Sequence, residues 1–165
     1  MDTRLDIIKN AMLLEKQGET FYLTNAVTTK NAEVKELFET FAREEDVHFK
    51  TLQKMFENIK ETGNVAASTM LPTLSETVDK VLTDKIRASI KASDYEAAAI
   101  AASMNFEEKA VKYYAEYAEK AQDENEKKLF QELAAWERTH LAFLADLNDS
   151  LREDIWHDQN FWPMI

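Results

Sequence analysis

The sequence predicts an all-α protein, a four-helix bundle made of two repeated helical hairpins joined by a long crossover connection. Its 165 residues include only 2 Gly and 2 Pro, the residues that β proteins use at their many tight turns. Four segments repeat apolar side chains at helical spacing. The last two segments also repeat the first two, because twelve positions from Ile8 to Met55 are identical to those 92 residues later.

Local signals place the ends of the four helices. The first helix is predicted over about residues 2–28. Asn31 is a favourable N-cap for the second helix, and Gly63 is suited to ending it. The third helix begins at a capping box, Ser93–Glu96. The fourth helix is predicted to end at about Leu151.

The length of the chain predicts one helical domain, residues 1–151, followed by a tail, residues 152–165. The repeat halves are about 2–61 and 93–151, and the crossover is 62–92. A capping box in the crossover predicts a short helix there. A connection this long is expected when it joins two parallel helices at opposite ends of a bundle. The tail is rich in aromatic residues, so we expect it to pack on the body or on a second subunit.

Charge and composition exclude several classes of function. The net charge is −11 and no basic run is present, which argues against a nucleic-acid partner. The absence of Cys excludes disulfides, thiol catalysis and iron–sulfur clusters. The N-terminus lacks a signal-peptide pattern, and no apolar run is long enough to span a membrane. We therefore expect a soluble, cytoplasmic protein without a membrane partner.

Two Glu-x-x-His motifs occupy equivalent positions in the two halves, and each follows a single Glu by 30 residues. A Glu and a His three residues apart lie on one helical face, about 4.5 Å apart along the axis. All of these side chains fall within apolar stripes, where a carboxylate is costly unless it is paired or binds a metal. The predicted metal ligands are Glu15, Glu45, His48, Glu107, Glu137 and His140.

Four carboxylates and two imidazoles suit a pair of first-row metal ions in a helical bundle. Mixed oxygen and nitrogen ligands favour two Fe ions, with Mn as the alternative, over Mg, Ca or structural Zn. Glu45 and Glu137 are predicted to bridge the ions because they share helices with the His ligands, whereas Glu15 and Glu107 are predicted to be terminal. The alternative is a polar core whose groups satisfy one another without metal.

Four further polar side chains lie near the predicted site. Tyr22 and Tyr114 follow the single Glu of each half by seven residues. They are predicted either to hydrogen-bond the ligands and carry an electron or proton, or to be core aromatics. Glu19 is a candidate seventh carboxylate, but its counterpart is Val111, which favours a position at the rim. Glu44 is expected to be exposed, because it lies about 100° around the helix from the neighbouring ligand.

These motifs resemble the ferritin-like di-iron carboxylate superfamily and, within it, the erythrin (rubrerythrin) domain. The similarity is carried by residues 14–22, LEKQGETFY, and by Leu37-Phe38 leading to Glu44-Glu45-x-x-His48. It covers about residues 5–151. The resemblance implies a four-helix bundle with a di-iron centre that reacts with hydrogen peroxide or oxygen, often in a homodimer.

The chain departs from this family in two respects. Rubrerythrins carry an added rubredoxin domain with four Cys ligands, and this chain has no Cys, so the electrons are expected from an external donor protein. The family also often has extra carboxylates that let an iron move during turnover, but Met104 and Thr139 occupy the nearest positions here. The symmetrical set of six ligands is similar to bacterioferritin-type ferroxidase sites as well.

Three functions follow from these observations. The expected function is that of a rubrerythrin-type di-iron oxidoreductase, which reduces hydrogen peroxide or oxygen with electrons from a separate protein. The first alternative is a ferroxidase or iron-storage protein, which needs assembly into a cage. The second alternative is a non-enzymatic helical module whose buried polar groups pair with one another.

Overall fold

The structure, a computed structural model, describes residues 3–67, 69, 71, 80–91 and 94–158, without the side chains of 80–83 and 154–158. Over these residues the chain forms helices and no strand, which confirms the all-α prediction. The five helices are α1 (Arg4–Thr28), α2 (Ala32–Thr62), α3 (Lys80–Ser89), α4 (Tyr95–Lys120) and α5 (Glu124–Asp158). Helices α1 and α2 form one hairpin, and α4 and α5 form the other.

The predicted ends of α2 are confirmed. The Asn31 side chain accepts a hydrogen bond from the backbone N–H of Val34 at 3.0 Å. Gly63 adopts a left-handed conformation, φ 78°, and its N–H donates to the Ile59 carbonyl at 2.9 Å. Because a residue with a side chain is strained at this φ, Gly63 allows the helix to end here.

Two of the four ends of the second hairpin differ from the prediction, the start of α4 and the end of α5. Asp94 is the N-cap of α4, whereas Ser93 lies outside the described residues. Asp123 caps α5, since its carboxylate accepts from the backbone N–H of Glu126 at 3.0 Å. Helix α5 continues to Asp158, beyond the predicted end at Leu151. The first half of the expected tail therefore extends this helix, while residues 159–165 lie outside the described part.

The crossover joins parallel helices, as expected. Helix α2 ends beside the start of α1, where Arg4 Nη1 donates to the carbonyl of Gly63 at 2.6 Å. Helix α4 begins beside the end of α1, where the Tyr95 hydroxyl donates to Asn25 Oδ1 at 2.6 Å. The chain must therefore return along the bundle between these two ends, which explains the length of the connection.

The short helix predicted in the crossover is present as α3. Ile86 and Ile90 are buried in a cluster with residues of the four long helices. The side-chain amide of Asn31 donates to Ser89 Oγ at 2.7 Å, and the Arg87 guanidinium donates to Asp146 on α5. These contacts hold α3 against α2 and α5. Within the described residues, no helix combines the length and the apolar character that crossing a membrane requires.

Candidate metal centre

The candidate centre lies between two apolar clusters, midway along the bundle. On α1, Ile8 and Ala11 belong to one cluster, Tyr22 and Ala26 belong to the other, and Glu15 lies between them. On each of the other three long helices, the predicted ligands likewise lie between residues of the two clusters. The apolar layers keep water away from the polar groups, which strengthens their electrostatic interactions.

The structure brings all six predicted ligands together. Each is at most 1 % exposed. Ligand atoms within 4.8 Å of one another form two groups, each of four residues. Both groups contain Glu45 and Glu137, the two residues that the sequence predicts as bridges. The groups are Glu15, Glu45, His48 and Glu137, and Glu45, Glu107, Glu137 and His140.

Both imidazoles turn the same nitrogen, Nδ1, toward the carboxylates. His48 Nδ1 lies 2.9 Å from Glu137 Oε1 and 3.4 Å from Glu15 Oε2. His140 Nδ1 lies 3.2 Å from Glu137 Oε2 and 3.5 Å from Glu107 Oε1. Glu137 therefore faces both His residues, one with each oxygen.

Many of these atoms lack a hydrogen bond of normal geometry within the described part of the chain. Buried polar groups are almost always paired, so several unpaired donors and acceptors at one point indicate a missing common partner. Carboxylate oxygens and imidazole nitrogens are ligand types that iron and manganese accept, so the residues fit the metal pair. The unpaired atoms are both oxygens of Glu137, Glu45 Oε1, Glu107 Oε2, and the Nδ1 atoms of His48 and His140.

The carboxylates of the metal-free centre hold protons unequally. Burial and the neighbouring Glu137 raise the pKa of Glu45 well above its usual range. The same two causes raise the pKa of Glu107 to about 7. Burial also acts to raise the pKa of Glu137, but His48 and His140 outweigh it and hold that pKa below its ordinary value. Glu137 is therefore ionised at neutral pH.

The two imidazoles are correspondingly charged in the metal-free protein. Burial acts to lower the pKa of His48, but Glu137 and Glu15 raise it to about 10. Burial likewise opposes the charge on His140, but the neighbouring Glu107 and Glu137 carboxylates raise its pKa well above its usual range. Protons therefore occupy the positions that metal ions would take, and metal binding must release them.

Each tyrosine donates a hydrogen bond to the single Glu of the opposite hairpin. The Tyr22 hydroxyl donates to Glu107 Oε1, and the Tyr114 hydroxyl donates to Glu15 Oε1. Both tyrosines are fully buried. Burial, followed by the adjacent Glu107 or Glu15 carboxylate, raises the pKa of each phenol well above its usual range. The predicted contact with the ligands is thus present, and it links the two hairpins.

The prediction that Glu44 is exposed is wrong. Glu44 is only 9 % exposed, and its Oε2 lies 2.5 Å from His140 Nε2. The same oxygen accepts a hydrogen bond from the Trp136 indole at 3.2 Å. Neighbouring helix α5 covers this side of α2, which the periodicity of α2 alone does not show. The signal in the sequence is that Glu44 and Trp136 occupy equivalent positions, one residue before each Glu-x-x-His motif.

Glu19 and Gly18 lie at the edge of the centre. Glu19 pairs with Lys16 and remains partly exposed, so it occupies the predicted rim position. A Cβ atom on Gly18 would lie 2.7 Å from Phe106 Cε1 and 3.1 Å from the carboxyl carbon of Glu45. Gly18 therefore allows the close approach of α1 to Phe106 of α4 and to Glu45.

Comparison with known families identifies this arrangement. A family model described as Rubrerythrin matches residues 6–100 and 98–160. The chain belongs to the rubrerythrin family. Rubrerythrin domains are ferritin-like and bind di-iron centres, and all six predicted ligands of this rubrerythrin-family chain lie in the matched residues. No curated protein and no solved structure matches the chain.

Proposed function

We propose that this chain is a di-iron carboxylate oxidoreductase that reduces hydrogen peroxide, or oxygen, with electrons from an external donor protein. The observation that carries the proposal is the convergence of buried, unpaired carboxylate and imidazole atoms on one point in a water-excluding core. Membership of the rubrerythrin family favours iron over manganese as the resident metal. The residues that would hold the two ions are Glu15, Glu45, His48, Glu107, Glu137 and His140.

The proposed reaction is the two-electron reduction of an O–O bond. Two protons and two electrons convert one hydrogen peroxide into two water molecules. Two ferrous ions held by these residues would supply both electrons, and the external donor would restore them. The chain contributes the apolar layers above and below the centre, which keep bulk water from competing for the site.

Tyr22 and Tyr114 are proposed to orient the terminal carboxylates and to hold a proton beside each of them. Their hydroxyls contact Glu107 and Glu15, so one oxygen of each carboxylate is fixed while the other stays free to bind metal. A phenol in this position can also donate an electron or proton to the centre.

An outer surface of α1 supports the proposal of a homodimer. Leu13 is 57 % exposed, Leu23 46 % and Val27 85 %, although large apolar side chains are usually buried. A second copy of the chain would remove this surface from water. We propose that the dimer is cytoplasmic.

The alternative function is a cage-forming ferroxidase that stores iron. Glu45 and Glu137 belong to both groups of candidate ligands, as two carboxylates shared by a ferroxidase pair would.

The experiment is metal analysis of protein from iron-supplemented cells, then stopped-flow absorbance of the ferrous form mixed with peroxide or oxygen. We expect about two Fe per chain and faster oxidation by peroxide. The Glu45→Ala and His140→Ala variants should each lose at least about half of the metal, since each removes a buried ligand. Glu19→Ala is the matched control, because Glu19 is a nearby carboxylate at the rim.

Three results would contradict the proposal. Full metal retention in either ligand variant would reject the ligand assignment. Uptake of many iron atoms per chain, with a cage in gel filtration, would favour iron storage. A folded wild-type protein that binds no metal, and whose stability does not change with a chelator, would favour the non-enzymatic helical module.

A further inference from the structure

The two histidines of the centre differ in what lies behind them. The residue before each Glu-x-x-His motif packs against the histidine of the opposite hairpin. Glu44 lies against His140, and Trp136 lies against His48. Since Glu44 and Trp136 are 92 residues apart, they are equivalent in the repeat. The pseudo-two-fold symmetry of the ligands is therefore broken immediately outside them.

His140 has a carboxylate on the nitrogen that faces away from the centre. Its Nε2 lies 2.5 Å from Glu44 Oε2, while Nδ1 faces Glu107 and Glu137. The Phe41 ring stacks on the imidazole, with centroids 4.2 Å apart and planes 19° from parallel. With the proton on Nε2 and donated to Glu44, the lone pair of Nδ1 points into the centre. A carboxylate in this position fixes the tautomer and the ring, and it makes the imidazole a stronger ligand.

His48 has no such support. Its Nε2 has no hydrogen-bond partner in the part of the chain that the structure describes. The Trp136 ring lies beside it, with centroids 5.0 Å apart and planes at 84°. The Trp136 indole N–H points elsewhere, donating to Glu44 Oε2 at 3.2 Å. When Nδ1 of a neutral His48 binds a metal, the proton must stay on Nε2, where it is buried without an acceptor. Without an acceptor there, nothing fixes the tautomer or strengthens the imidazole as a ligand, as Glu44 does for His140.

We infer that the two metal positions are inequivalent: the position that includes His140 binds its ion first and more tightly, and Glu44 is the positioning residue responsible. The position that includes His48 is the weaker one because Trp136 stands where a second acceptor would be needed. This inference rests on the proposed function, since it assumes that the centre binds a pair of metal ions. The order in which the two metal positions fill is the new element, since a symmetrical set of six ligands predicts no such order.

The test is titration of the metal-free full chain with Co²⁺, which does not change oxidation state when oxygen is present, followed by calorimetry and by visible absorbance. Two resolved steps are expected in the wild type, at least about tenfold apart in affinity. His140→Ala should remove the tighter step, and His48→Ala should remove the weaker one. This pair of variants assigns each step to one position.

Two further variants test the supporting residues. Glu44→Gln should weaken the tighter step by about 10- to 100-fold and leave the weaker step nearly unchanged. Trp136→Gln gives His48 an amide oxygen as acceptor and retains an N–H for Glu44, so it should strengthen the weaker step by about tenfold. Glu19→Gln is the control carboxylate and should change neither step. Far-UV circular dichroism verifies that each variant is folded.

The outcomes separate the inference from the proposed function. Two equal steps in the wild type, or equal weakening of both steps by Glu44→Gln, would overturn the inequivalence and leave the metal centre intact. An unchanged weaker step in folded Trp136→Gln would overturn the role assigned to Trp136. No binding of Co²⁺ or Fe²⁺ by the wild type would overturn the proposed function together with the inference.

Discussion

Hairpin α1–α2 and hairpin α4–α5 place the same Glu, His and Tyr side chains at the centre of the bundle, but they surround them differently. In the first hairpin a carboxylate, Glu44, precedes the Glu-x-x-His motif; in the second an indole, Trp136, takes its place. Gly18 in the first hairpin corresponds to Ala110 in the second. The repeat thus preserves the predicted ligands and the two tyrosines, whereas the residues that pack behind the two histidines differ.

The difference extends to the two predicted bridges. Glu45 and Glu137 are equivalent in the repeat, yet their pKa values shift in opposite directions in the metal-free protein. Burial and neighbouring carboxylates raise the pKa of Glu45. The charged His48 and His140 outweigh burial and lower the pKa of Glu137. One bridge is therefore a neutral acid, and the other is the counter-ion of two imidazolium groups.

The largest expected effect comes from removing that counter-ion. Glu137→Gln leaves two buried imidazolium groups without it, and the free energy of unfolding of the metal-free protein should fall by about 3 to 5 kcal/mol. Glu45→Gln replaces a protonated acid with an amide of similar shape, so it should cost less than about 1 kcal/mol. Urea unfolding at neutral pH with a chelator measures both values.

The pH dependence provides the control for this prediction. A lowered pKa stabilises the folded protein fully above the ordinary value of 4.5, and this stabilisation is lost as the pH falls below it. The difference between wild type and Glu137→Gln should therefore shrink in acid. Equal destabilisation by Glu45→Gln and Glu137→Gln at neutral pH would show that the two bridges are not distinguished in this way.

The second effect concerns the protons that metal binding displaces. His48, with a pKa of about 10, is protonated throughout the neutral range. Its proton must leave before Nδ1 binds metal, so affinity should rise about tenfold per pH unit for each proton released. Glu107, with a pKa of about 7, adds a further proton below neutrality, which makes the dependence steeper there.

Co²⁺ titrations between about pH 6 and 8, in buffers of different ionisation enthalpy, measure both the affinity and the number of protons released. In Glu107→Gln the extra steepness below neutrality should disappear, while the contribution of His48 remains. An affinity that does not change with pH would mean that the metal-free ligands do not hold these protons.

The smallest effect tests the packing difference between the hairpins. Gly18→Ala places a Cβ atom within 2.7 Å of Phe106 Cε1, and the overpacking should exceed the gain in helix propensity, for a net loss of about 1 kcal/mol. In the repeat, Ala110 is equivalent to Gly18 and Leu14 is equivalent to Phe106, and both belong to one apolar cluster. The double variant Gly18→Ala with Phe106→Leu copies this smaller pair, so it should recover the stability that Gly18→Ala loses. Thermal unfolding of the two variants decides this, and a stabilising Gly18→Ala would contradict it.

Sequence reasoning was sufficient for the elements that depend on local spacing. Helical periodicity and the offset of 92 residues predict the two hairpins, and Asn31 and Gly63 predict the ends of α2, because caps act within one turn of chain. The burial together of the six predicted ligands follows the same pattern, because charged side chains inside an apolar stripe need a partner. The sequence pattern did not predict where α5 ends. The helix continues past Leu151 to Asp158, and no strong stop signal lies near Leu151.

Helical periodicity specifies which residues face the centre, because it fixes the direction of each side chain about its own helix axis, and the predicted ligands lie on the apolar stripes. The burial of Glu44 depends instead on the packing of α5 against α2, which brings Trp136 and His140 against this side chain. The pairing of each tyrosine with the Glu of the opposite hairpin is likewise decided by the tertiary structure. Such contacts depend on how helices distant in sequence lie against one another, and a period along one helix carries no information about its neighbour.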